Sequence, residues 1–129
     1  MFDMKQQPIF SGHSMKSDIE RFVDSKLYIA ILDEFPDYMT PTLVAHTVMG
    51  AHIRFKDVLE YKAWLKCSFK KCVVRVNSKE FAKILELPVV YEGHEIHTLN
   101  GRTSCLIPLP CLNDELPNVL KFAKLWKPR

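Results

Sequence analysis

The run KLYIAIL at residues 26–32 constrains the fold more than any other stretch of the chain. A strand with one solvated face alternates apolar and polar residues. This one is apolar without a break from Leu27 to Leu32, so both of its faces need cover. Strands of that kind lie inside a sheet with helices packed over it, and the rest of the chain supplies the helices. DEFPDYMTP (33–41) is a loop broken by Pro36 and Pro41. A helix opens at Thr40 or Pro41, where the missing N–H of proline does no harm. It continues through TLVAHTVMGAHIRF, with Val44, Val48, Ala51 and Phe55 as a core stripe and His46, Gly50 and Arg54 on the far side. KDVLEYKAWLK (56–66) is a second helix with Val58, Tyr61 and Leu65 inward, and CVVRVN (72–77) is a strand. Asn77 with Glu80 three residues on marks the start of another helix. LPVVYE (87–92) is a third strand, and SCLIPLPC (104–111) is a fourth, whose two prolines fit an edge strand or one that leaves the sheet early. A last helix starts at Asn113 or Asp114, with Pro117 in its first turn.

This order of elements predicts a three-layer α/β/α domain over residues 26–129, built on a mixed four-stranded sheet. Residues 1–25 read as an N-terminal arm docked on that domain, with a short helix capped by Ser17. A chain of 129 residues is one ordinary domain, and 47% apolar with 26% charged residues is the balance of a globular protein rather than a disordered one. No apolar run approaches the ~20 residues that span a bilayer. The start MFDMKQQPIF has neither the apolar stretch nor the cleavage site of a secretory signal. With four cysteines and no CxxC pair, the expectation is a cytoplasmic protein with reduced thiols and no membrane association.

Few chemical motifs survive inspection. Glycines at 12, 50, 93 and 101 are too scattered for a phosphate-binding loop, and neither GxSxG nor HExxH occurs. His94 and His97 sit three apart, and in extended chain that spacing sends them to opposite faces; no metal site and no cofactor is expected. Cys105 and Cys111 with His94 offer a thiol and a base, against the plainer reading of packed strand cysteines. His52 flanks the core stripe and reads as a packed, hydrogen-bonded histidine. His46 faces away from the stripe, where it would line a cleft at the carboxyl end of the first strand, and Asp33, Glu34 and Asp37 follow that strand directly. Lys62, Lys66, Lys70 and Lys71, interleaved with Tyr61, Trp64 and Phe69, form a basic and aromatic stretch of the kind that grips RNA, or the solvated face of an amphipathic helix.

YKAWLKCSFKKCVVRVNSKEFAKILEL resembles the middle of type 2 peptidyl-tRNA hydrolases: Trp64, a basic residue seven on at Lys71, the strand Cys72–Val76 and the capped helix from Asn77 keep the family's register. GHEIHTLNGRTSCLIPLP is similar to that family's Gly-x-Thr-Glu-Ile loop and last strand, with Arg102 and Thr103 at its paired position. The helix TLVAHTVMG is closest to a small uncharacterised bacterial branch of the superfamily, with Thr42 in place of its asparagine and Ala45, His46 and Gly50 matching. The resemblance spans about residues 26–125. The departures fall on the reacting groups. Met39-Thr40-Pro41-Thr42 stands where the family has its catalytic lysine, Tyr91-Glu92-Gly93 replaces its Asp-Ala-Gly, and His94 aligns with its threonine. Losing the cation removes what would hold a tRNA phosphate or an oxyanion.

The resemblance and the departures together imply a domain that binds a small molecule or a protein. Its cleft would lie between the loop after the first strand and the loop before the fourth, lined by Asp37, Thr42, His46 and Arg102, with Glu92 and His94 as a replacement acid–base pair. Two other functions stay open: a diverged hydrolase of peptidyl- or aminoacyl-tRNA esters, and an RNA-binding module using the four lysines. A homodimer through an exposed edge strand such as 104–111 is a further expectation.

Overall fold

The computed structural model describes residues 21–95 and 99–129. In chain order these form β1 (Lys26–Leu32), a 3₁₀ turn (Asp37–Met39), α1 (Thr40–Phe55), α2 (Leu59–Cys67), β2 (Lys70–Val76), α3 (Ser78–Leu85), β3 (Val90–Glu95), β4 (Arg102–Pro108), a second 3₁₀ turn (Asn113–Glu115), α4 (Asn118–Lys121) and β5 (Lys124–Leu125). The result is an α/β fold: a five-stranded mixed sheet, ordered β3-β4-β1-β2-β5, packed against helices. Strand β1 pairs parallel with β2 and antiparallel with β4, so KLYIAIL is central, and its residues from Ile29 to Leu32 are buried on both faces. The Ser17 cap expected in the arm lies outside the described residues; Arg21–Asp24 form a turn, and Phe22 packs with Ala63 and Leu112.

The structure corrects four sequence expectations. There are five strands rather than four. Strand β4 lies between β3 and β1 and is not an edge, so it offers no unpaired ladder to a second copy. Its prolines are tolerated because Pro108 ends the strand and Pro110 lies beyond it. The final helix is not continuous. Pro117 has no N–H to donate and precedes a helix of only four residues, after which the chain turns and adds β5 to the outer edge of β2, where Leu125 pairs with Val74. Strand β3 also begins three residues later than expected, since Leu87 still donates to the carbonyl of Ile84 and Pro88 follows it.

Helix α1 positions the chemistry. Its buried residues are Thr40, Leu43, Thr47, Ala51 and Phe55, a stripe rotated slightly from the apolar one, with Val44 and Val48 at its margin. Two threonines lie under the helix, and Thr47 satisfies its hydroxyl by donating to the Leu43 carbonyl at 2.8 Å. The helix lies over β3 and β4. Gly50 and Gly93 permit the close approach. A β-carbon on Gly50 would collide with the Tyr91 ring, and one on Gly93 would lie 2.7 Å from Thr47 Cγ2. Gly50 therefore faces the sheet, not the far side of the helix. Helix α3 begins with the reciprocal cap read from the sequence: Glu80 N donates to Asn77 Oδ1 at 2.8 Å, and Asn77 N donates to Glu80 Oε1 at 2.9 Å. In α2 the inward residues are Tyr61, Ala63 and Trp64, and Leu65 turns outward. None of the described helices is long and apolar enough to cross a membrane.

Candidate functional site

Side chains alternate across a strand, so β3 divides its residues between two faces. Tyr91 meets Gly50 and Gly93 meets Thr47, while Glu95 meets His46; all three partners are on α1. Glu92 and His94 therefore project from the other face of the sheet. That separates them from His46 and Thr42, with which the sequence groups them. Glu92 and His94 meet through Thr103, whose hydroxyl lies 3.1 Å from His94 Nδ1 and 3.5 Å from Glu92 Oε1. The same imidazole nitrogen lies 3.1 Å from the Gly101 carbonyl. These contacts are solvent-exposed.

On the α1 face, a cavity of about 240 Å³ is lined by Tyr38, Met39, Thr42, Leu43 and Glu95. It opens at the carboxyl end of β3, beside the loop that follows β1. Glu95 is 8% exposed at its side chain, while His46 is 59% exposed, and Nδ1 of the imidazole lies 2.6 Å from Glu95 Oε2. A carboxylate only accepts, so the imidazole donates from Nδ1, and in the neutral ring Nε2 is then the acceptor. The Glu95 carbonyl accepts from Leu99 at 3.1 Å and Gly101 at 2.8 Å, and so ties the returning loop to the end of the strand. Asn100 and Gly101, at φ 53° and 79°, turn the chain into β4. Arg102 pairs with Glu34 of the loop after β1 and stacks 5.0 Å from the Phe35 ring centre, and it does not line the cavity.

Asp37 is occupied elsewhere. Arg75 donates to both of its oxygens at 3.1 and 3.3 Å, and the Arg129 backbone N donates to Oδ2 at 2.7 Å. The Arg75 hydrogen bond, then that of Arg129, holds its carboxyl down at about 2. It fastens Arg129 and strand β2 to the loop after β1 and does not line the cavity. Cys105 is fully buried, and burial pushes its thiol up, as it does for Cys111, which is the behaviour of packing cysteines rather than nucleophiles. His52 accepts or donates at 2.9 Å to the Tyr61 hydroxyl, as expected of a hydrogen-bonded histidine, although the residue is exposed. His97 lies outside the described residues, and among those described no group of three or more histidine, cysteine or acidic residues stands together as a metal site would.

Of the four residues expected to line the cleft, Thr42 lines this cavity, His46 contacts its Glu95 wall, and Asp37 and Arg102 are not in its lining; Glu95 is missed by the sequence reading. With β3 read as ending at Glu92, Glu95 falls in a polar loop; its alternation with Tyr91 and Gly93 is the signal that would put it on the buried face. A larger cavity of about 400 Å³ lies at the opposite end of the sheet among Leu87, Val89, Pro108, Leu112, Pro117 and Leu120. It is mostly apolar and has no positioned acid–base pair, so the smaller cavity is the better candidate for chemistry. Neither protein-family models nor curated proteins give a significant match to the chain.

Proposed function

We propose that this chain is a binding member of the type 2 peptidyl-tRNA hydrolase-like superfamily, with a three-layer α/β/α build and a small-molecule site under the start of α1. Strand order supports the layering: β1–α1–α2–β2 moves toward one sheet edge and β2–α3–β3 toward the other, and two crossovers of the usual right hand would then set α1 and α3 on opposite faces. The observation that carries the functional reading is the cavity itself. Its wall at the first turn of α1 is Met39 and Thr42, neutral groups at the position of the family's lysine. A pocket with a buried carboxylate, a threonine and an exposed tyrosine suits a small polar ligand better than a polyphosphate backbone.

A second reading, a diverged hydrolase of peptidyl- or aminoacyl-tRNA esters, is favoured by one observation, the His46–Glu95 pair. An imidazole oriented by a carboxylate through Nδ1 presents Nε2 as a general base for water. Hydrolysis of purified peptidyl-tRNA separates the two. The binding reading expects no turnover at any pH. Turnover that disappears in His46→Ala and falls in Glu95→Gln would overturn it in favour of the hydrolase. The pair Glu92 and His94 enters neither reading, since it lies on the other face of the sheet.

A further inference from the structure

Phe69 is an aromatic residue in a conformation that suits glycine. It follows the last turn of α2 at φ 64°, the left-handed position at which helices commonly end on Gly. A side chain is strained there, and the turn is held in place from several sides. The Ser68 and Phe69 N–H groups both donate to the Trp64 carbonyl, at 2.9 and 2.8 Å. The buried Trp64 indole donates to the Lys70 carbonyl at 2.7 Å, and the Ser68 hydroxyl donates to the Ser25 carbonyl. The product of this scaffolding is an exposed ring. Phe69 is 56% exposed and stacked on Trp64, with ring centres 5.6 Å apart and planes 27° from parallel. The Lys71 ammonium lies 3.1 Å from its centre. Of the three aromatics in the basic stretch, Tyr61 and Trp64 are core, and Phe69 is the one on display.

The surroundings are cationic. Lys66, Lys70 and Lys71 are exposed, and Lys26 joins them because it pairs in register with Lys70 at the start of β1 and β2. Asp24 offsets one of these charges by pairing with Lys70 at 2.7 Å. A strained, braced aromatic ring with lysines around it is the arrangement of a stacking platform: every base has a π-face, and the lysines meet the phosphates on either side.

We propose that Phe69, with Lys66 and Lys71, forms a binding site for single-stranded nucleic acid, in which an unpaired base stacks on Phe69. The site lies at the end of the sheet opposite the cleft under α1 and uses none of its residues. A duplex keeps its bases stacked on one another and gives the ring nothing to hold, so single strands are the preferred ligand.

The test is fluorescence anisotropy of a labelled short oligouridylate, the matching oligodeoxythymidylate and a duplex control, titrated with the full chain over a range of salt. The expected result is single-strand binding that weakens steeply with salt, by about 0.7 in the log–log slope for each phosphate contacted. Lys66→Ala and Lys71→Ala each flatten that slope. Phe69→Gly, which suits the backbone conformation, lowers affinity about tenfold or more. Phe69→Asn serves as a second variant that tolerates the same backbone. Tighter binding of the uridylate than of the thymidylate assigns the ligand as RNA; equal binding keeps the site for single strands of either kind. No binding at low salt, a preference for the duplex, or Phe69 variants that bind like wild type would overturn the proposal. So would affinity that ignores salt, which is the behaviour of an apolar protein-docking surface.

Discussion

Asp37 shows how one side chain can join three parts of the molecule. It sits in the turn before α1, receives Arg75 from β2, and receives Arg129 through both backbone and guanidinium. Its folded carboxyl titrates at about 2 against an ordinary 3.8. The ionised form is thus preferred in the folded chain, and the stabilisation is fully present above the unfolded value and is lost as pH falls toward about 2. Asp37→Asn is expected to lower stability at neutral pH, with the gap to wild type closing between about pH 4 and about pH 2. Urea titrations of both proteins across that range check this; a gap that stays constant through the window would contradict it. The roles of individual residues are the hardest part to read from the sequence. The position of Asp37 just after β1 points to the cleft, but nothing local announces that two arginines, 38 and 92 residues away in sequence, claim it. Phe69 looks like one member of a basic and aromatic stripe, since the sequence does not display the left-handed turn that brings this ring alone to the surface. Its strain, about 1–3 kcal/mol, is of the same order as the stacking on Trp64 and the Lys71 contact combined, so the turn can keep an aromatic residue.

Elements are legible where their signals are local. The Asn77 and Glu80 cap is made by residues three apart and follows from chemistry contained in four positions. Asn77→Ala leaves the Glu80 N–H without its acceptor, and the expected loss is about 1 kcal/mol, read as a lower urea midpoint with an unchanged slope. A loss under a few tenths of a kcal/mol would mean that the first turn of α3 is held mainly by Phe81 and Ile84 beneath it. Strand β1 is equally readable, because a short, unbroken, β-branched apolar run fits little besides a strand covered on both faces. The last third of the chain is not. SCLIPLPC reads as an edge strand on its prolines, yet both fall at or past the strand's end, and the long connection from Pro108 to Leu125 is divided by Pro110 and Pro117 into pieces too short to show a period. The two residues of β5 have no sequence signal. They are a strand only because β2 offers them an edge, with Trp126 N donating to the Val73 carbonyl at 2.9 Å.

At the scale of the whole molecule, the sheet sorts the chemistry. Its carboxyl end, beside α1 and the loop after β1, holds the small cavity with Thr42, His46 and Glu95. Its amino end holds the larger apolar cavity and, beside it, the lysines around Phe69. The alternation of β3 sends Glu92 and His94 to one face and Glu95 to the other, so Glu92 and His94 are separated from His46, and His46 instead pairs with Glu95, 49 residues away. Of the residues grouped from the sequence, Thr42 lines the cavity and His46 contacts its Glu95 wall, while Glu92 and His94 lie across the sheet from it. The central claim is that the cavity under α1 receives a small ligand. The most direct measurement is a fragment screen of the isotope-labelled full chain, with chemical-shift changes mapped residue by residue. The predicted result is a set of changes gathered on Tyr38, Met39, Thr42, Leu43 and Glu95, with the His46 ring responding and these changes lost in Glu95→Gln. Fragments that instead perturb Leu87, Val89 and Leu112 around the larger cavity, or that leave the residues under α1 unmoved, would contradict it.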